Sequence, residues 1–468
     1  MREKTMLKDK QQMMFSRRQL AAIMFPLLLQ NLLSITIGMV DSIMVSNKGE
    51  AAFAGVSLVN SLDTVFVTLL SALASGGAAV LAQALGRRDE EYACRATKQM
   101  IYITTMVAAG ISAVILILRV PILTFLFGEV EADVFQNALV YFFFLSLSLP
   151  FLAIENSIAA TLRAQGDSVT SLKVSILMNL LNIAGNAVLI YGLDLGAAGA
   201  AIATLLSRMI GAMLKLIIIC DQRRRIHVSH LFRYRPNGSM IKAILRLGIP
   251  NGIEQSMHNF GNLVMSSLIS TLGTVAIAAN AAANSISNVQ YSAGGASQHS
   301  MVAVVGRCVG AKEKEQAKYY TWLLVGLGSL IVLAVALPTL IFIRPLMRFY
   351  GLSGETSELA CVLLIIQSIV SVLFWPLAFC LPSALRAAGD VSFTMKIAVF
   401  SMWALRVGLG YVMALETVSL FGIISFAGLG WGIIGVRLAG AVSWLFRSIV
   451  FLWRFVSGKW LTKYREAK

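Results

Sequence analysis

The hexapeptide LRAQGD at Leu162–Asp167 returns as LRAAGD at Leu385–Asp390, 223 positions later. Other landmarks move with it. Pro26 in MFPLLLQNLL meets Pro250 in LGIPNGIEQSM at a shift of 224, and the same shift carries Gly49, Ala52 and Ala54 of GEAAFAG onto Gly273, Ala276 and Ala278 of GTVAIAA. Gly86 falls on Gly310, and Lys173 on Lys396. After an insertion, Gly196 and Gly199 of LGAAGAAIAT meet Gly432 and Gly435 of LGWGIIGVRLAG. A shift this constant over so many landmarks is the mark of a duplicated chain, an architecture common among transporters.

Each copy is built for lipid. The 468 residues are 57% hydrophobic and only 13% charged, with a mean hydropathy of +0.76. A span needs roughly 20 apolar residues to cross the hydrocarbon, and such stretches predict twelve helices near 20–46, 53–85, 96–118, 133–162, 169–192, 195–219, 240–271, 276–309, 315–343, 357–386, 391–413 and 426–456. The fold class expected is an all-α membrane protein, with two six-helix lobes related by a pseudo-two-fold along the membrane normal. The division follows: a cytoplasmic N-terminal tail (1–19), a first lobe (20–220), a cytoplasmic linker (221–239), a second lobe (240–456) and a cytoplasmic C-terminal tail (457–468).

The net charge of +16 does not point to nucleic acid, because the basic residues sit in the connections and not along one helical face. They alternate from side to side. Arg87 and Arg88, Arg223 to Arg225, Lys312 and Lys314, and Lys459 to Lys468 mark one side, whereas Lys48, Arg119 and Arg344 are sparse on the other. The positive-inside rule then places both termini in the cytoplasm of a multi-pass plasma (inner) membrane protein. The charged N-terminal stretch lacks the short apolar region and cleavage site of a signal peptide. The five scattered cysteines suggest neither disulfides nor a metal site, and no HExxH, GxSxG or P-loop suggests an enzyme.

Polar groups at membrane depth need a reason, since a charge at the centre of a span costs about 2.5–3.5 kcal/mol on insertion scales. Asp41 lies in the apolar run IGMVDSIMVS, and its repeat mate is Met265, so the acid belongs to one lobe alone. Asn179, Asn182 and Asn186 of LMNLLNIAGN share one face of the fifth helix. A carboxylate with amide oxygens suits Na⁺, and could equally hold Asp41 ready to carry H⁺; the amides could also simply bridge helices. Asn156 is a further cation-site candidate, beside Glu155 in LAIENSIAA. Asp63, and Glu254 with Gln255 after Pro250, could line a cavity or form a second-lobe site. Arg208, Arg406 and Arg437, with no acid near in sequence, read as snorkelling or paired with carbonyls. Pro26 and Pro250 interrupt helix ladders and offer bend points.

Taken together, the Pro26 to Asp41 helix with GEAAFAGVSL, the LRAQGD loop leading into NLLNIAGNAVLIYG, LGAAGAAIAT, and the echoes IPNGIEQSM and LRAAGD resemble the multidrug and toxic compound extrusion (MATE) transporters over nearly the whole chain. The resemblance implies a monomeric antiporter, with no cofactor beyond Na⁺ or H⁺, that exports small amphipathic, cationic compounds. Asp41 matches the family's first-helix coupling acid, with Asn182 and Asn186 as its fifth-helix partners. The tenth helix lacks the acid of the NorM-like branch, which favours the first lobe for the cation. The alternative within the superfamily is a flippase of lipid-linked oligosaccharide or cell-wall precursor. An anionic head group of that kind calls for several cavity Arg or Lys residues, and the lobes offer Asp41 and Asn-rich faces instead.

Overall fold

The computed structural model describes residues 13–128, 130–229, 233, 235–420 and 424–462. The expected tails before 13 and after 462, and residues 230–232 and 234 of the expected linker, lie outside the described residues. Twelve long helices run through these residues. They are α1 (Arg17–Ser46), α2 (Glu50–Gly86), α3 (Glu90–Phe127), α4 (Ala132–Gln165), α5 (Ser168–Gly192), α6 (Gly196–Cys220), α7 (Gly238–Ser270), α8 (Thr274–Gly310), α9 (Lys314–Ile341), α10 (Gly354–Ala387), α11 (Val391–Ala414) and α12 (Gly432–Val456). Apart from α7 and α8, all are long and apolar enough to cross a membrane. Their outer faces carry large side chains such as Ile117, Phe125, Ile217 and Ile341 fully or largely exposed, which is tolerable only where the surroundings are lipid.

Helix ends follow local chemistry. The Ser16 hydroxyl accepts from the Gln19 backbone N–H while the Gln19 side-chain oxygen accepts from the Ser16 backbone N–H, closing a capping box that starts α1. Asp89 caps α3, which therefore begins at Glu90 and runs on past Pro121 with a kink at Leu118, longer at both ends than the 96–118 expected. Asp167 caps α5 through the Thr170 amide and holds Arg224 at 2.8 Å. Burial pushes its carboxyl up, but the bonds from Thr170 and Arg224 outweigh that and hold it below the ordinary carboxylate range.

The twelfth helix begins at Gly432, not at 426 as expected. Thr417–Leu420 and Ile424–Ala427 pair as an antiparallel hairpin before it, so the first two residues of the expected span, Phe426 and Ala427, are strand. This hairpin is the insertion that interrupts the repeat. On either side of it the repeat packs alike: a Cβ on Gly199 would stand 2.9 Å from the Leu189 carbonyl, and one on Gly435 would collide with the Met413 carbonyl.

By internal contacts the described residues separate into two units, one of residues up to Gly252 with Gly306–Lys312, the other Ile253–Val305 with the residues from Glu313 onward. The first has a core around Val59, Leu70, Phe142, Leu145 and Leu149, the second one around Met265, Leu268, Leu363 and Leu364. Within the first unit the ends of α2 and α8 cross without side chains between them. A Cβ on Gly86 would run into the Arg307 carbonyl, and one on Gly310 into the Gln83 carbonyl. Because 83 and 307, like 86 and 310, are repeat mates, the contact is self-reciprocal. Gly310→Leu is therefore expected to cost about 1–3 kcal/mol or more, read as a lower melting midpoint and loss of monodisperse protein. Gly326→Leu on α9, where a Cβ meets nothing within 4 Å, should leave both unchanged; equal damage from the two would refute the close crossing.

Candidate functional site

α1 and α5 lie side by side, joined by polar pairs at a nearly constant offset in sequence. Gln30 donates to Ser175 at 3.0 Å, Asn186 to Asp41 at 2.7 Å, Asn47 to Tyr191 at 3.2 Å, and Lys48 meets Asp194 at 2.5 Å. The Lys48 ammonium holds the Asp194 carboxyl below its usual range. Just after Asn186 the helix widens into a π-helical turn, Ala187–Gly192, a distortion frequent at functional sites.

Asp41 sits in the middle of this seam, half-buried, with no basic partner among the described residues. Asn186 is 1% exposed and Asn182 7%. The Asn186 nitrogen donates to Asp41 Oδ1, while its own buried oxygen has no partner. The Asn182 amide can meet the same carboxylate in two ways. With nitrogen toward it, it donates at 2.9 and 3.1 Å. With oxygen toward it, two acceptors face each other, an arrangement stable only with a proton or metal cation between them.

Around this cluster a cavity of about 240 Å³ takes in Asn60, Asp63, Tyr141, Thr204 and Arg208. Tyr141 donates to Asn60 at 3.1 Å. Asp63 accepts from both terminal nitrogens of Arg208, at 2.7 and 3.3 Å, and Ser148 takes a third bond from that arginine. Asp63 thus lines this cavity, paired with Arg208; the expectation for Arg208 is corrected, since it neither snorkels nor leans on carbonyls.

Other candidates stand elsewhere. Asn156 does not line the Asp41 cavity; Tyr141 of α4 does, and fifteen further residues along the helix displace Asn156 by about 22 Å. Its amide nitrogen is buried without a partner. Glu155 beside it pairs with the fully buried Lys215 at 2.6 Å. Asn179, on the α5 stripe, is half-buried and outside the cavity. Glu254 accepts from Arg386 at 3.0 and 3.1 Å and lies 3.6 Å from Arg447, so as a second-lobe cation acid it is already compensated, with Gln255 in the same small pocket. Pro26 and Pro250 lie inside α1 and α7, where the carbonyls of Ala22 and Arg246 lose their helical donors.

A second, larger cavity of about 420 Å³ lies wholly in the second unit, with Arg406 and Arg437 on its wall and no Asp or Glu. It corrects the expectation that only acid and amide faces are on offer. The signal missed was Asn280, Asn284 and Asn288 in NAAANSISN, spaced by four and so on one face of α8; all three line the cavity. These asparagines also help to make α8 less apolar than the ten helices that could cross a membrane.

Comparison with known proteins agrees with this architecture. A model of the MatE family matches residues 26–188 and again 250–412, the two copies being offset by the repeat shift seen at Pro26 and Pro250. The chain is 27% identical over 451 residues to the "Uncharacterized transporter YisQ" of Bacillus subtilis, covering 95% of each. To the "Probable multidrug resistance protein NorM" of Thermotoga maritima it is 26% identical over 460 residues, covering 95% of this chain and 93% of the relative. A multidrug resistance MATE family transporter of the MOP superfamily, solved in an outward-facing conformation, shares the fold with a TM-score of 0.85 at 20% identity, over 95% of this chain and 96% of that one. The duplicated six-helix plan and the twofold family match lead to one conclusion: this chain belongs to the MatE family of membrane transporters.

Proposed function

We propose that this transporter is a cation-coupled antiporter of the inner membrane, working as a monomer with both termini cytoplasmic, that exports amphipathic organic compounds, cationic drugs or toxic metabolites among them, by alternating access. Na⁺ or H⁺ is taken at Asp41, with Asn182 and Asn186 as its partners and no other cofactor. One observation carries this reading: a half-buried carboxylate, without a basic partner among the described residues, lies against two buried amides, Asn186 donating to it and Asn182 able to turn its oxygen toward it. An all-oxygen donor set of this kind suits a hard monovalent cation, and a proton equally.

Cation binding neutralises Asp41 and turns the Asn182 amide, which changes the α1–α5 seam. α1 has a weak point in the missing bond at Pro26, where such a change is absorbed. Coupling requires only that cation and substrate stabilise different states. Dye efflux from vesicles under separately imposed Na⁺ and H⁺ gradients tests the proposal: one gradient drives efflux and the other does not. Efflux that ignores both gradients would remove ion coupling.

A second reading, flipping of a lipid-linked precursor with an anionic head, draws on Arg406 and Arg437 in the second cavity. A precursor-flipping assay beside drug-resistance assays separates the two.

A further inference from the structure

The two cavities occupy equivalent positions in the repeat. At a shift of 224, Gly38, Asp41, Asn60 and Thr64 of the first fall on Asn262, Met265, Asn284 and Asn288 of the second, and after the hairpin Ala200 and Arg208 fall on Val436 and Trp444. Their charge is opposite. The first holds two acids against one arginine; the second holds two arginines against none.

Several other largely buried arginines are compensated by acids. Arg208 has Asp63, and Arg386 and Arg447 share Glu254. Arg437 and Arg406 break the pattern. Arg437, 9% exposed, donates only to neutral oxygens, those of Gln367 at 3.1 Å, Asn280 at 2.8 Å and Asn284 at 2.9 Å. These bonds aim the guanidinium without cancelling its charge, and its Nε has no partner. Arg406, half-buried, has no hydrogen-bond or ion-pair partner among the described residues. A guanidinium stays protonated, so both charges remain in a setting where an unmatched charge is costly.

Beside the polar side chains, a cluster of aromatic rings forms part of the wall. Trp375 and Phe379 stack at 5.7 Å, Trp444 meets Phe379 edge-on at 5.2 Å, and Tyr291 meets Trp444 edge-on at 5.6 Å. Phe379 comes from the π-helical turn Pro376–Cys380 and Arg406 from the turn Ser401–Gly408, so two widened turns frame the space. Its volume of about 420 Å³ lies within the range of small-molecule sites.

We propose that the second cavity binds an amphipathic organic anion, with a carboxylate or phosphate between Arg406 and Arg437 and a flat apolar body against Trp375, Phe379 and Trp444. This goes beyond ion coupling at Asp41 and stands whichever transport reading holds, because binding here requires no gradient. The anion could be a free aryl acid or the head group of a lipid.

The test uses the full-length protein in phosphatidylcholine nanodiscs, with radiolabelled 1-naphthoate as probe and 1-naphthylmethylammonium as the cation of the same ring. Saturable binding of naphthoate but not of the ammonium is expected, weakened about tenfold or more by Arg406→Gln and retained in part by Arg406→Lys. Arg406 supports no other group, so its loss spares the fold; Arg437→Lys, which keeps the charge of the buried partner but not its fork, should also weaken binding. Displacement of naphthoate by phosphatidylglycerol, but not by more phosphatidylcholine, makes a lipid head group the anion; undiminished binding makes it a free acid. Absence of saturable naphthoate binding, equal binding of the ammonium, or affinity unchanged in both Arg406→Gln and Arg437→Lys overturns the proposal.

Discussion

Asp41→Asn is expected to abolish gradient-driven efflux while leaving the amount, monodispersity and melting midpoint of the purified protein unchanged. Asparagine has nearly the same shape, and the Asn186 amide can still donate to its oxygen, so the α1–α5 seam survives. What disappears is the one negative charge in that seam without a basic partner. Without it, neither Na⁺ nor H⁺ has a reason to favour one conformational state, and coupling goes. A loss of ~100-fold corresponds to about 2.7 kcal/mol of coupling free energy, within the range usual for linked sites. Transport that persists in this variant under the driving gradient would take Asp41 out of the mechanism.

Asp63→Leu should be the most damaging single change to stability. The Asp63–Arg208 pair is nearly buried, with side chains 17% and 12% exposed, and its partners come from α2 and α6. Removing one member strands a charge, a change worth about 3–5 kcal/mol, whereas replacing both by apolar residues is often neutral or stabilising. Thermal unfolding of the purified protein should therefore show a large drop for Asp63→Leu and recovery in the double variant Asp63→Leu with Arg208→Leu. If the double variant melts as low as the single, the pair is held by something other than mutual compensation. Efflux by the rescued double variant would further show that this arginine serves the fold and not the chemistry near Asp41.

The membrane class, the duplication and most helix limits were legible because they depend on neighbours in the chain. A run of apolar residues, a proline or a capping Asp acts within a turn or two, and the repeat is visible by laying one half on the other. The misses of this kind were limits: α3 runs beyond both expected ends, and α12 starts at Gly432 and not at 426, because Phe426 and Ala427 close a hairpin that hydropathy does not separate from a span. Asp41 and Asn186 were also within reach, since each is anomalous in its own segment.

Which charges cancel could not be read in this way. Asp41 meets Asn186, and Asp63 meets Arg208, across 145 positions each, while Glu254 meets Arg386 across 132. Along the chain Asp41, Asp63, Glu155 and Glu254 look alike: each is an acid in an apolar stretch. Only packing of the helices separates the one left without a basic partner from the three that are paired, because an ion pair depends on distance in space and hydrogen-bond geometry, not on sequence spacing. For the same reason Arg406 and Arg437 read as snorkelling residues until α8, α10, α11 and α12 closed around them. Sequence alone determined that this is a duplicated membrane bundle with an acid in one half; tertiary structure decided that the other half holds the opposite charge, since a cavity is made by surfaces that meet only once the chain has folded.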